Sequence, residues 1–281
     1  MDLLPPAPHL LHPHRPRGDA PRRARRRPLV VARAPRRRGG LGVRPGRAPV
    51  PAGPGPGARP SAGPTGPGRG RGPVSWGVRG LTVRYRGRPA LSGVDLEVPP
   101  GQVVAVVGAD GAGKTTLLRA MAGILEPDEG EVRRPAPERL GYVSAASGVY
   151  PDLTAAENLA FAAAAYRVPD PGGRTATLLS ATGLSGARDR LGAELSGGMR
   201  RKLGVAMALV HDPELLVLDE PTTGLDPLSR VEIWALLAGA AAEGAAVLLS
   251  TTYLEEAERA ARVLVLEEGR PLAVGSAEEV V

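Results

Sequence analysis

Apolar residues run unbroken through Val103–Val107 and Leu215–Leu218. Runs this short and this rich in β-branched and aliphatic side chains fit strands buried on both faces of a sheet. Strand-like segments also occur at Trp76–Tyr85, Val94–Val98 and Gln102–Val107, the first two separated by the turn-forming Arg86-Gly87-Arg88-Pro89. That order predicts an antiparallel sheet leading into a buried strand. Pro127-Asp128-Glu129-Gly130 reads as a turn, followed by short strands at Arg139–Val143, Leu215–Leu218, Ala245–Ser250 and Val263–Leu266. Between them, helical patterns fit residues 199–210, 228–242 and 255–261. Thr154-Ala-Ala-Glu157 is a capping box opening an alanine-rich helix through about Tyr166. Strands alternating with helices predict an α/β fold with a mostly parallel sheet, interrupted by a mainly helical stretch at about 150–200.

No such pattern exists in residues 1–73. That segment holds sixteen arginines, no lysine and two acidic residues, a net charge of +14, together with seventeen of the chain's 30 prolines. The other 208 residues carry −7, so the overall +7 comes from this segment alone. It has too little apolar surface to offset its ordering entropy, and disorder is expected. An Arg-rich arm suits RNA or anionic lipid, and the absence of a continuous apolar core argues against a secretory signal. No Phe, Tyr or Trp is present to stack on bases, which favours a plainer reading: a misplaced start codon upstream of a GC-rich gene.

Residues 74–281 suffice for one α/β domain. With no cysteine in the chain, disulfides, thiolate metal sites and cysteine nucleophiles are excluded. No run of about 18 apolar residues occurs, so the chain is expected to have no transmembrane segment of its own.

The chemistry begins after the first buried strand. Gly108-Ala109-Asp110-Gly111-Ala112-Gly113-Lys114-Thr115-Thr116 has the spacing of a phosphate-binding loop between a strand and a helix. Glycines let the backbone N–H groups point inward as an anion nest, and the helix N-terminus adds partial positive charge. Lys114 then reaches the β- and γ-phosphates, and the Thr115 hydroxyl is a ligand for Mg²⁺. Leu216–Leu218 ends in Asp219 and Glu220. At the carboxyl end of a parallel strand, Asp219 is expected in the Mg²⁺ shell, with Glu220 polarising an attacking water. Leu195-Ser196-Gly197-Gly198 precedes a helix and forms a second anion site, some 80 residues on. One phosphate chain does not need two helix N-termini from one monomer; two monomers packed head to tail would. The plain alternative for Ser196 is a helix N-cap.

Taken together these residues resemble the ATP-binding cassette (ABC) family over about 76–281, Gly224-Leu225-Asp226 included. The resemblance implies a P-loop NTPase with a RecA-like core, an antiparallel β subdomain and a helical signature subdomain. It implies ATP and Mg²⁺ as ligands and an ATP-dependent sandwich dimer with a second cassette, identical or different. Tyr85 matches the position that stacks on adenine, with Trp76 the alternative, and Asp226 matches the loop linking the two sites. Tyr150–Leu159 and Ser250–Arg259 resemble drug- or antibiotic-export ATPases, which pair with a separate integral membrane permease, here expected to dock around 144–160. The location implied is cytoplasmic, peripheral on the inner face of the cell membrane, and nucleic acid is disfavoured as a partner.

Two matching positions depart from the family. Its metal- and γ-phosphate-sensing glutamine is Ala145 here, and its γ-phosphate-contacting histidine is Thr252. The chain's one glutamine is Gln102, and the one histidine within 74–281 is His211. Phosphoryl transfer depends mainly on positioning and electrostatics, so binding is expected to survive better than fast hydrolysis. A slow ATPase energising export is the leading expectation. The alternative is a non-catalytic module regulating a catalytic cassette. Some relatives carry two cassettes, and this chain fits either a first half or a short subunit.

Overall fold

A computed structural model describes residues 75–280; the segment expected to be disordered, 1–73, lies outside them. Two antiparallel strands come first, β1 (Trp76–Tyr85) and β2 (Arg88–Val98). The buried strand β3 (Val103–Val107) then feeds α1 (Lys114–Met121) through the glycine loop. β4 (Glu129–Arg133) returns to the free side of β1, giving a three-stranded sheet in the order β2-β1-β4. After β5 (Leu140–Val143) come α2 (Ala155–Ala165), α3 (Pro171–Ala181) and α4 (Gly197–Leu209). β6 (Leu215–Leu218), α5 (Pro227–Ala242), β7 (Ala246–Thr251) and α6 (Leu254–Ala257) follow. β8 (Arg262–Glu267), β9 (Arg270–Gly275) and α7 (Ala277–Val280) complete the described chain. The second sheet runs β5-β6-β7-β3-β8-β9, parallel throughout except for the β8–β9 hairpin.

The unbroken apolar strands are explained by their position. Val103, Ala105 and Val107 face a core built with Leu203, Leu216, Leu218, Ile233 and Leu237, whereas Val104 and Val106 face Leu81, Leu91, Leu117, Leu118 and Met121. Alternate residues therefore serve opposite cores, and no position along β3 is free to be polar. Burying a leucine such as Leu117 contributes about 2 kcal/mol.

Besides one-residue shifts at β3, β5, β7 and β8, the larger differences from the sequence reading are at β2, β4 and β9. β2 starts at Arg88 rather than Val94, across register shifts in its pairing with β1. Glu129 and Gly130, read as turn residues, begin β4. That strand is almost wholly exposed, so no apolar period announces it; it is held by its ladder to β1. β9 was missed for the same reason, since Leu272 and Val274 lie exposed at the sheet edge. α6 is also shorter than the 255–261 expected.

In the helical stretch, Thr154 and Glu157 cap α2 reciprocally, at 2.8 and 3.2 Å. Buried Asn158 pins the preceding turn, accepting from Tyr150 N at 2.8 Å and donating to the carbonyls of Tyr150, Leu153 and Thr154. Arg174 of α3 donates to the Leu209 and Val210 carbonyls at 2.7 and 3.2 Å and pairs with Asp212, satisfying the C-terminal end of α4. Next to it, His211 stacks on Tyr166 with centroids 3.6 Å apart and contacts the Leu140 carbonyl at 3.2 Å. Burial lowers the His211 pKa below its ordinary 6.5. The unfolded chain therefore takes up this proton first, and stability should fall as pH drops through about 6.5 toward the lower folded value. Thermal midpoints of wild type and His211→Gln across that window check this. The variant should lose part of the acid-side slope, and identical slopes would discount it.

Candidate functional site

The phosphate loop and the acidic pair meet at the carboxyl ends of the central parallel strands, where α/β sheets bind ligands. The loop's shape is set by its neighbours. A side chain on Gly108 would collide with the Leu266 carbonyl, and one on Gly113, whose φ is 104°, would stand 2.8 Å from Ala90 O. Behind the loop, Gly269 N donates to Ala112 O at 3.0 Å, and Ser92 N to Gly269 O at 2.8 Å. The β8–β9 turn and β2 together form its rear wall.

α1 differs from the other long helices in its N-terminus. α2, α3, α4 and α5 are each capped by a side chain, from Thr154, Asp170, Ser196 and Asp226, whereas Gly113 offers α1 none. Among the described residues the first-turn N–H groups of α1 have no side-chain acceptor, which suits an external anion. Ala109, Asp110 and Gly111 lie exposed in front of it, with Ala112 buried behind and Thr116 half-buried in the first turn.

Lys114 is buried and donates to the carbonyls of Gly108 and Ala109 at 2.7 and 3.1 Å, with Glu220 Oε1 3.5 Å away. Thr115 Oγ1 donates to Asp219 Oδ1 at 3.2 Å. Hydroxyl and carboxylate oxygens so placed fit a hard cation such as Mg²⁺ beside the phosphates. Asp219 is also tied to β5, its N donating to Val143 O at 2.8 Å.

The sequence reading missed Ser250. Its Oγ donates to Asp219 Oδ1 at 2.8 Å and accepts from Glu220 N at 2.9 Å, orienting both acids. A serine inside an apolar strand was the available signal, visible only once β7 lies beside β6. Glu220 itself has φ 48°, a left-handed conformation that a non-glycine residue adopts at a cost of roughly 1 kcal/mol or more. Such strain is concentrated at functional positions.

The Ser196–Gly198 loop, expected to be a second anion site, lies elsewhere. Exposed Ser196 caps α4 by accepting from Met199 N at 3.2 Å, so the plain N-cap role is present within this chain. Exposed Gly197 follows it, and a Cβ on Gly198 would stand 3.0 Å from Ser229 Oγ, placing this loop beside the Asp226 loop. Asp226 caps α5 through Ser229 N at 3.0 Å, and this hydrogen bonding holds its carboxyl below the usual range. Among the described residues no hydrogen bond or ion pair joins Ser196–Gly198 to the phosphate loop. Tyr85 ends β1 half-exposed, in the hairpin whose Ala90 packs on Gly113. Ala145 and Thr252 are both exposed, and neither brings an imidazole or amide to the site.

Similarity to known proteins agrees with this geometry. The family described as ABC transporter matches residues 91–223. The chain is 41% identical over 212 residues to the probable multidrug ABC transporter ATP-binding protein YbhF of Escherichia coli K12, covering 70% of this chain and 37% of that protein. It is 40% identical over 206 residues to the Nod factor export ATP-binding protein I of Burkholderia pseudomallei 1710b, covering 69% and 68%. A solved ATP-binding subunit of an ABC transporter superposes with TM-score 0.68 at 30% identity, covering 74% of this chain and 92% of that one. The chain spans little more than a third of YbhF's length.

Proposed function

Because this chain belongs to the ABC transporter family, we propose that it binds and hydrolyses ATP to energise export of a small drug-like compound through a separate membrane permease. The observation that carries the reading is the meeting of Lys114, Thr115, Asp219 and Glu220 at one uncapped helix N-terminus. In it, Gly108–Thr116 and Lys114 hold the phosphates, and Thr115 and Asp219 hold Mg²⁺, which supplies charge neutralisation when bound. Glu220 acts as general base and Tyr85 stacks on adenine. Ser196, Gly197, Gly198 and Asp226 serve the site of a second cassette, identical or different.

No described helix is long and apolar enough to cross a membrane, which fits a subunit acting beside a permease. We place it on the inner face of the cell membrane. The names of the relatives, multidrug and Nod factor export, support an export role. Turnover is slow, since Ala145 and Thr252 cannot orient water or hold charge at the γ-phosphate.

The test joins biochemistry to transport. The purified chain should bind Mg-ATP and turn it over. Loss of the gene should raise cellular retention of a hydrophobic cationic dye, restored by wild type but not by Lys114→Ala. No ATP binding at millimolar nucleotide would overturn the ATPase reading. Unchanged retention across a panel of dyes would overturn the export reading.

A further inference from the structure

The loop after β5 presents only a methyl group at Ala145, but another side chain reaches the same place from α4. Arg201 Nη1 donates to Ser144 O at 3.3 Å, immediately before Ala145. Gly204, the next turn of α4, lies so close to this loop that a Cβ would stand 2.5 Å from Ser147 O. The face of α4 bearing Arg201 is therefore laid against Ser144–Ser147. The residue before Ser144 is hydrogen-bonded to Asp219 through Val143 O and Asp219 N. This places the guanidinium at the end of β5, the strand beside the one that leads into the acidic pair.

Its charge is poorly compensated. Arg201 is half-buried, and burial lowers its pKa, while the negative charges of Glu220 and Asp219 act in the opposite direction. Neither carboxylate forms an ion pair with it among the described residues. Among the described residues one of its five N–H donors is engaged, by a carbonyl. A planar donor fork, close enough for the charges of Asp219 and Glu220 to act on it, is suited to a phosphate.

We propose that Arg201 contacts the terminal phosphate of ATP bound by its own chain, supplying from α4 the donor that Ala145 does not. This rests on the reading that the chain binds Mg-ATP. A simple tether between α4 and the β5 loop is the competing role, and nucleotide discrimination separates the two.

Equilibrium binding of Mg-ATP and Mg-ADP to the full chain is the readout. Arg201→Met should weaken ATP on the order of tenfold or more and leave ADP unchanged. Arg201→Lys should lose part of that preference. Adding Ala145→Gln to Arg201→Met should restore the ATP-over-ADP ratio, which a tether would not do. An unchanged ratio in Arg201→Met, or equal losses for both nucleotides, would overturn the proposal. If Arg201→Met does not fold, Arg201→Lys decides by the same ratio. Wild type that binds neither nucleotide overturns the functional reading instead.

Discussion

Glu220→Gln should bind Mg-ATP with near wild-type affinity while its turnover falls by a factor on the order of 10² or more, the usual contribution of a positioned base. The substitution preserves shape. Glutamine keeps an oxygen beside Lys114, which lies 3.5 Å from Glu220 Oε1, and the backbone N remains held by Ser250 Oγ at 2.9 Å. What disappears is the ability to take a proton. The left-handed backbone at Glu220 makes the loss specific, because it fixes the direction of a side chain just beyond a fully buried strand. Single-turnover chemistry measured beside equilibrium ATP binding separates the two quantities. Turnover within a few-fold of wild type would remove Glu220 from the mechanism. The wild-type rate is itself expected to be low, since neither Ala145 nor Thr252 assists.

The second large effect is expected from Lys114→Ala. Charge-assisted hydrogen bonds contribute about 1.5–3 kcal/mol each, so ATP affinity should fall roughly 10- to 100-fold. The loss has two sources. The phosphates lose a cation that the Gly108 and Ala109 carbonyls already hold in place, and Glu220 loses its neighbouring positive charge. Lys114 is expected to reach both the β- and γ-phosphates, so ADP should weaken as well. Arg201→Met should spare ADP. Fluorescence titration with both nucleotides checks this, and a change under twofold for ATP would refute the role.

The loop at 108–116 was legible because its place depends on local spacing: glycines, Lys114 and Thr115 lie within one turn between a strand and a helix. The same holds for Asp219, whose position at the end of an apolar run fixes where it emerges. The residues that escaped notice act across the sheet. Ser250 meets Asp219 only because β7 lies beside β6, and Arg201 meets Ser144 only because α4 packs on the loop after β5. β4 and β9 escaped for another reason, being edge strands whose exposed residues carry no apolar period. The left-handed backbone at Glu220 has no signature in residue type, since glutamate does not favour it.

The rear wall of the phosphate loop sets the order in which this protein can become competent during synthesis. Residues 108–116 leave the ribosome early, yet the strand before them is flanked by β7 and β8, and the loop rests on Gly269 and Leu266. About 150 further residues must be made before those partners exist. Until then the valines of β3 have no neighbours on either side, the condition under which nascent parallel sheets are most exposed to aggregation. The nucleotide loop is among the first parts of the domain to be translated and among the last to be finished.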